Sequence, residues 1–168
     1  MSKRVRQYIG VLAAVVAYYL IHEGAHLTCA LFCGTFDKIS FMGLGVQIAV
    51  FSDRMSDTQL FVFCLCGAAA TLCAGYLLAA LAKNICRVRK KLFRAVMYYI
   101  TIAMLVIDPL YLSALCGLFG GGDMNGILLF CPEWLARSLF GVLLIVNVSI
   151  FFKWLLPVYR ASFAERKA

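Results

Sequence analysis

Charge is what this sequence has least of. Only 14% of its 168 residues are charged, while 64% are hydrophobic. Soluble domains carry about 25% charged and about 45–50% apolar residues, so this composition excludes an ordinary soluble domain. Histidine is scarcer still, with two residues in the chain, His22 and His26. No Cys-x-x-Cys pair occurs among the cysteines Cys29, Cys33, Cys64, Cys66, Cys73, Cys86, Cys116 and Cys131. Most of them lie in apolar runs, where Cys behaves as a small hydrophobe. A disulfide framework is not expected, although Cys116 and Cys131 can meet near one face. Internal repeats and low-complexity tracts are also absent. The first apolar stretch is too long for a secretory signal and lacks a small-x-small cleavage site after it, so it reads as a mature helix.

What the sequence does contain is four apolar runs, at residues 8–32, 59–83, 95–117 and 135–157. Each is long enough for the roughly 20 helical residues that cross a bilayer. They leave no room for a soluble domain. The expectation is one membrane domain over residues 1–168, an all-α polytopic bundle of about four transmembrane helices with the lipid bilayer as its surroundings. The net charge of +8 does not imply a nucleic-acid partner, because its distribution follows the spans. Lys3, Arg4 and Arg6 precede the first. Lys83, Arg87, Arg89, Lys90, Lys91 and Arg94 lie between the second and third, and Lys153, Arg160, Arg166 and Lys167 lie at or after the end of the fourth. Only Lys38, Arg54 and Arg137 fall on the other side. Lys and Arg resist translocation, so both termini are expected in the cytoplasm of a protein integral to the plasma membrane.

Between the first two spans, Lys38 to Phe51 is rich in β-branched and aromatic residues and is punctuated by Gly43 and Gly45. That pattern predicts a small β-hairpin. It is apolar enough either to dip into the membrane or to lie on its surface. Gly67 to Gly75 in the second span is a small-residue stretch of the kind that lets helices approach closely. Asp108-Pro109 should kink the third span. Pro132-Glu133 reads as the start of the fourth, with proline in the first turn and an acid near the amino end.

Both histidines belong to His22-Glu23-Gly24-Ala25-His26. Positions i and i+4 share a helix face, so His22 and His26 can bind one zinc ion together. Glu23 is placed to take a proton from water activated by that ion. Ionisable residues inside a membrane helix are costly and mark function by default. A catalytic zinc takes three protein ligands, and two acids qualify as the third. Asp108 lies at mid-membrane depth, and Asp123 follows in the glycine-rich break Gly120 to Gly126. Each also has a structural reading, Asp108 as a partner in a proline-kinked helix and Asp123 as a turn residue. Cys29 and Cys33 continue the histidine stripe and read as packing more than as ligands.

His22-Glu23-x-x-His26 in a membrane helix resembles the site-2 protease family of intramembrane zinc metalloproteases. Phe41-Met-Gly43-Leu-Gly45 is similar to that family's membrane-entering hairpin, and Gly67-Ala68-Ala69 to its small-residue motif. Gly122-Asp123-Met124-Asn125-Gly126 is similar to its third-ligand motif, with Met124 where the family has glycine and glycines where it has prolines. The resemblance covers roughly residues 10–130. It implies zinc held by His22, His26 and Asp123, with Asp108 as the alternative, and Glu23 as catalytic base. It also implies a membrane-anchored or exported peptide or protein as substrate, with Gly43, Gly45, Gln47 and Asn125 as substrate-binding residues. The charge bias runs the first span outward, so the site is expected to open to the extracytoplasmic face, opposite to many members of that family. Two other classes fit the residues: a non-hydrolytic metal-binding transporter or sensor, and an inactive protease-like protein that binds partners. Oligomeric state is not legible.

Overall fold

A computed structural model describes residues 1–42, 45–118 and 122–164. Helix α1 runs Lys3–Cys33. Ser2 caps it, its hydroxyl accepting the Val5 amide at 3.3 Å, which satisfies a donor that the first turn leaves open. The helix stops at Gly34, whose φ of 67° is open to glycine without a Cβ penalty. The amides of Gly34 and Thr35 turn back to the carbonyls of Leu31 and Ala30 at 3.2 and 2.9 Å, the paired bonds of a Schellman stop.

That stop turns the chain into the expected hairpin, β1 (Phe36–Met42) and β2 (Gly45–Val50). The strands are antiparallel with Ile39 opposite Ile48, and the register slips by one residue at Asp37. Gly43, expected in the turn, lies outside the described residues. Ile48 is buried against Ala30, Phe63 and Cys64, which ties the hairpin to the bundle.

Helix α2 (Asp57–Ala80) begins with a capping box. Ser56 Oγ accepts the Gln59 amide at 3.3 Å, and Gln59 Oε1 accepts the Ser56 amide at 2.9 Å, so two open donors are satisfied reciprocally. The short α3 (Ala82–Arg87) leads to α4 (Lys91–Leu110), which continues as a π-helical turn over Tyr111–Leu115. After the short α5 (Met124–Ile127) comes α6 (Glu133–Ile150), then a second π-helical turn, Phe151–Leu155, and α7 (Leu156–Ala164). Pro132 sits one residue ahead of α6 rather than in its first turn.

Four helical stretches, Lys3–Cys33, Asp57–Ala80, Lys91–Leu118 and Glu133–Ala164, are long and apolar enough to cross a membrane. They match the expected spans closely. The first begins earlier and the last ends later, because helix geometry persists through basic ends that hydropathy alone excludes. Helices α1, α2 and α4 pack against one another, and α6 packs on α4 and its π-helical extension. Leu12, Leu20, Leu77, Leu139, Val142 and Ile145 are each more than half exposed. In water such an apolar belt would be a liability; in lipid it is the ordinary outer face.

Pro109 lies inside α4. Having no amide hydrogen, it leaves the carbonyl of Leu105, four residues back, without its helical donor. That carbonyl instead accepts Asn147 Nδ2 from α6 at 2.7 Å. Asn147 is fully buried, and its Oδ1 accepts the Tyr76 hydroxyl from α2 at 2.7 Å. The proline therefore costs no unsatisfied group, because a polar side chain from a neighbouring span fills the gap. Asn147→Leu should strand both the Leu105 carbonyl and the Tyr76 hydroxyl and lower stability by about 1–2 kcal/mol. Unfolding in detergent micelles reads this, with Val146→Leu, a substitution at an exposed position, as the control. Equal stability of the two variants would contradict the account.

Candidate metal centre

The α1 face that carries His22 and His26 turns inward against α2 and α4, and both residues are buried. Their Nε2 atoms lie 3.1 Å apart. Asp123 Oδ2 completes a triangle, 3.3 Å from His22 Nε2 and 3.5 Å from His26 Nε2. Among the described residues these three form the grouping of side chains that could hold a metal ion. Tetrahedral ligands at about 2.0–2.2 Å from zinc sit about 3.3–3.6 Å from one another. The two separations from Asp123, 3.3 and 3.5 Å, fall within that range, and the 3.1 Å between the two Nε2 atoms lies just below it.

Asp123 reaches the triangle because α5 folds back onto α2. Met124 and Ile127 are buried, and Gly126 presses so closely on Cys64 and the Leu60 carbonyl that a Cβ there would clash. Asp123 occupies the N-cap position of α5 but makes no capping bond, although Asp is a preferred cap. Its carboxylate is turned to the imidazoles instead.

Asp108 lies on the other side of His22. It is 1% exposed, and its Oδ1 is 3.3 Å from His22 Nδ1. Tyr18 donates its hydroxyl to that same oxygen at 2.5 Å, and Thr71 donates to Oδ2. Asp108 is thus placed against the far ring nitrogen of His22, whereas Asp123 sits at the Nε2 edge. His26 Nδ1 is 3.6 Å from Cys66 Sγ, whose thiol proton is donated to the Phe63 carbonyl at 3.0 Å. When the Nδ1 atoms carry the protons, Asp108 and Cys66 are placed to accept them, and both Nε2 lone pairs are left to face the triangle. Outer partners of this kind fix the tautomer and ring orientation of metal-binding histidines. Cys29 and Cys33 do not join the grouping.

Glu23 Oε2 accepts the Ile48 amide from β2 at 3.1 Å. Glu23, Gly45, Val46, Gln47 and Ile48 line one cavity of about 470 Å³ together with both histidines, Asp108 and Asp123. Gly45 and Gln47, expected to bind substrate, thus line the cavity that holds the histidines. Asn125 is exposed and is not part of that wall.

Sequence reasoning missed Tyr18, Thr71 and Cys66 and treated Gly67 as packing alone. The signals were faint: Tyr18 lies one turn before His22, and Thr71 one turn after Gly67. A Cβ on Gly67 would come within 2.5 Å of His26 Nε2 and 2.7 Å of His22 Cε1, so α2 can lie against the imidazoles only where it carries no side chain. No family model, curated protein or solved structure matches the chain.

Two glycine replacements have opposite signs. Alanine is favoured over glycine in a helix by about 0.8–1 kcal/mol, and a Cβ at Gly24 meets nothing within 4 Å. Gly24→Ala should therefore stabilise the protein. Gly67→Ala should destabilise it by about 1–3 kcal/mol, the usual cost of overpacking. Thermal unfolding of the two purified variants compares them directly, and stabilisation at Gly67 would refute the packing described.

Proposed function

We propose that the protein is a zinc-dependent endopeptidase that cleaves a peptide bond in a membrane-associated protein or peptide, in the manner of the site-2 proteases its motif resembles. The observation that carries the proposal is the triangle of two imidazole nitrogens and one carboxylate oxygen close to tetrahedral spacing, sharing a cavity with Glu23. His22, His26 and Asp123 would hold the metal. Zinc held there acidifies water and polarises a carbonyl. Glu23 takes the proton from the attacking water and passes it to the leaving amine. Asp108, braced by Tyr18 and Thr71, keeps His22 in the tautomer that offers Nε2.

The hairpin supplies the natural substrate cradle. The Ile48 amide points to Glu23, so this edge of β2 faces the cavity. An extended peptide adding to that edge would take the Ile48 amide from Glu23 and release the carboxylate to act as base.

A paired measurement tests the reading. The purified wild type should hold about one zinc per chain and cleave a helical transmembrane peptide. Glu23→Gln should keep the metal and lose about 10²–10⁴-fold in rate. Asp123→Asn should lose metal, while Asp108→Asn should bind it about 10–100-fold more weakly. Zinc retained by a His22→Ala/His26→Ala variant would refute the site. Zinc binding with no Glu23-dependent cleavage of any peptide would point to a transporter or sensor, and absence of both to an inactive relative.

The distribution of the basic residues further supports an orientation with both termini cytoplasmic, which opens the cavity to the extracytoplasmic side. In a cysteine-free background, Ser52→Cys, at an exposed site near the hairpin, should react with an impermeant thiol reagent in intact cells. Asn84→Cys, exposed on α3, should be protected. The reverse pattern would invert the topology and with it the substrate compartment.

A further inference from the structure

At the opposite end of the bundle lies a feature that hydrolysis does not use. Arg94, in the first turn of α4, has no exposed surface. Its Nη1 donates to the Ser162 carbonyl of α7 at 2.5 Å, and its guanidinium lies 5.0 Å from the Phe163 ring centre. Its Nε and Nη2 have no hydrogen-bond partner among the described residues. A buried charge left with open donors is strongly unfavourable, and neither a ring face nor a single carbonyl answers both nitrogens. They are neighbouring donors on one edge of a planar group, the fork that receives two oxygens of a phosphate or carboxylate.

Arg94 lines a cavity of about 360 Å³ between α3 and α7, and Lys83 and Arg87 share its wall. A neighbouring cavity is lined by Lys3, Arg6, Lys91 and Arg160, so this whole end is cationic. The described carboxylates lie elsewhere. Glu23, Asp108 and Asp123 belong to the metal centre, Asp37, Asp53 and Asp57 lie in or beside the hairpin, and Glu133 pairs with Arg137 at 2.7 Å. The eighth acid, Glu165, lies outside the described residues.

We propose that this cavity binds a phosphate group, carried by an anionic phospholipid or free in solution, with Arg94 as the bidentate anchor and Lys83 and Arg87 supplying further charge. Basic pockets between membrane helices suit lipid phosphates at the level of the headgroups. Nothing in this proposal depends on the metal centre.

Trp154 is a built-in reporter, because Lys83 Nζ lies 4.7 Å from its ring centre. The full chain carrying Trp134→Phe, which leaves Trp154 as sole tryptophan, is reconstituted in phosphatidylcholine vesicles. Brominated phosphatidylglycerol and brominated phosphatidylcholine are then compared as quenchers. Phosphatidylglycerol should be preferred about fivefold, the equivalent of one basic contact near the membrane surface. Arg94→Gln and, separately, Arg87→Gln should bring the ratio toward one. If Arg94→Gln does not fold, Arg87→Gln decides, and an unchanged ratio in that folded variant overturns the proposal. In neutral detergent, inorganic phosphate is compared with chloride at equal ionic strength by thermal unfolding. Stabilisation by phosphate alone assigns the site to the free ion, and a lipid preference without it assigns the site to the headgroup. Neither effect, or a lipid preference that emerges only in Glu165→Gln, overturns the proposal, the latter because the chain's own carboxylate would be the occupant.

Discussion

A carboxylate placed among apolar helices must find every one of its partners inside the protein, and the architecture around Asp108 follows from that requirement. Its two oxygens are met by Tyr18 from α1 and Thr71 from α2, and His22 lies beside them. One side chain of α4 thereby links the three helices that pack against one another. Asp108 is 1% exposed, so each group left without its partner there would cost several kcal/mol. The same necessity governs the Pro109 break, where Asn147 and Tyr76 connect α6 and α2 to the exposed carbonyl of α4. The two polar networks, set around consecutive residues of α4, fix the relative rotation of all four spans.

Two pieces that do not span the bundle then complete the site. The hairpin brings the Ile48 amide to Glu23, and α5 brings Asp123 to the imidazoles. Each is held by close apolar contact and not by length: Ile48 against Ala30 and Phe63, and Gly126 against Cys64. Such short elements are stable only because they rest on long helices, since a helix of a single turn does not persist alone. The opposite end of the bundle is different in character, with a fully buried arginine beside a wall of lysine and arginine.

Much of this architecture is legible in the chain's local patterns. Four apolar runs of sufficient length dictate four spans, since a backbone in lipid must satisfy itself as helix. The β-branched, glycine-punctuated segment after residue 34 dictates the hairpin, and the i, i+4 spacing of His22 and His26 puts both on one face. Local rules suffice for these features because the interactions concerned lie within a few residues of one another.

The roles of Asp108 and Asp123 were not decided that way. Both are acids near the right depth, and only the packing of α4 on α1 and of α5 on α2 places one at Nδ1 and the other at Nε2. Gly67 reads in sequence as one small residue among several, and its particular duty appears only when the two imidazoles lie against it. Asn125 has the chemistry of a binding residue and a neighbour in Asp123, yet it ends up exposed. The sequence by itself determined which segments are helical, which are long and apolar enough to cross a membrane and which face of α1 carries both histidines, because hydropathy and helical periodicity act locally. Tertiary structure alone decided which donor faces which acceptor, because a contact across 90 residues, such as Tyr18 to Asp108, is set by the angle at which helices meet, and no short stretch of chain encodes that angle.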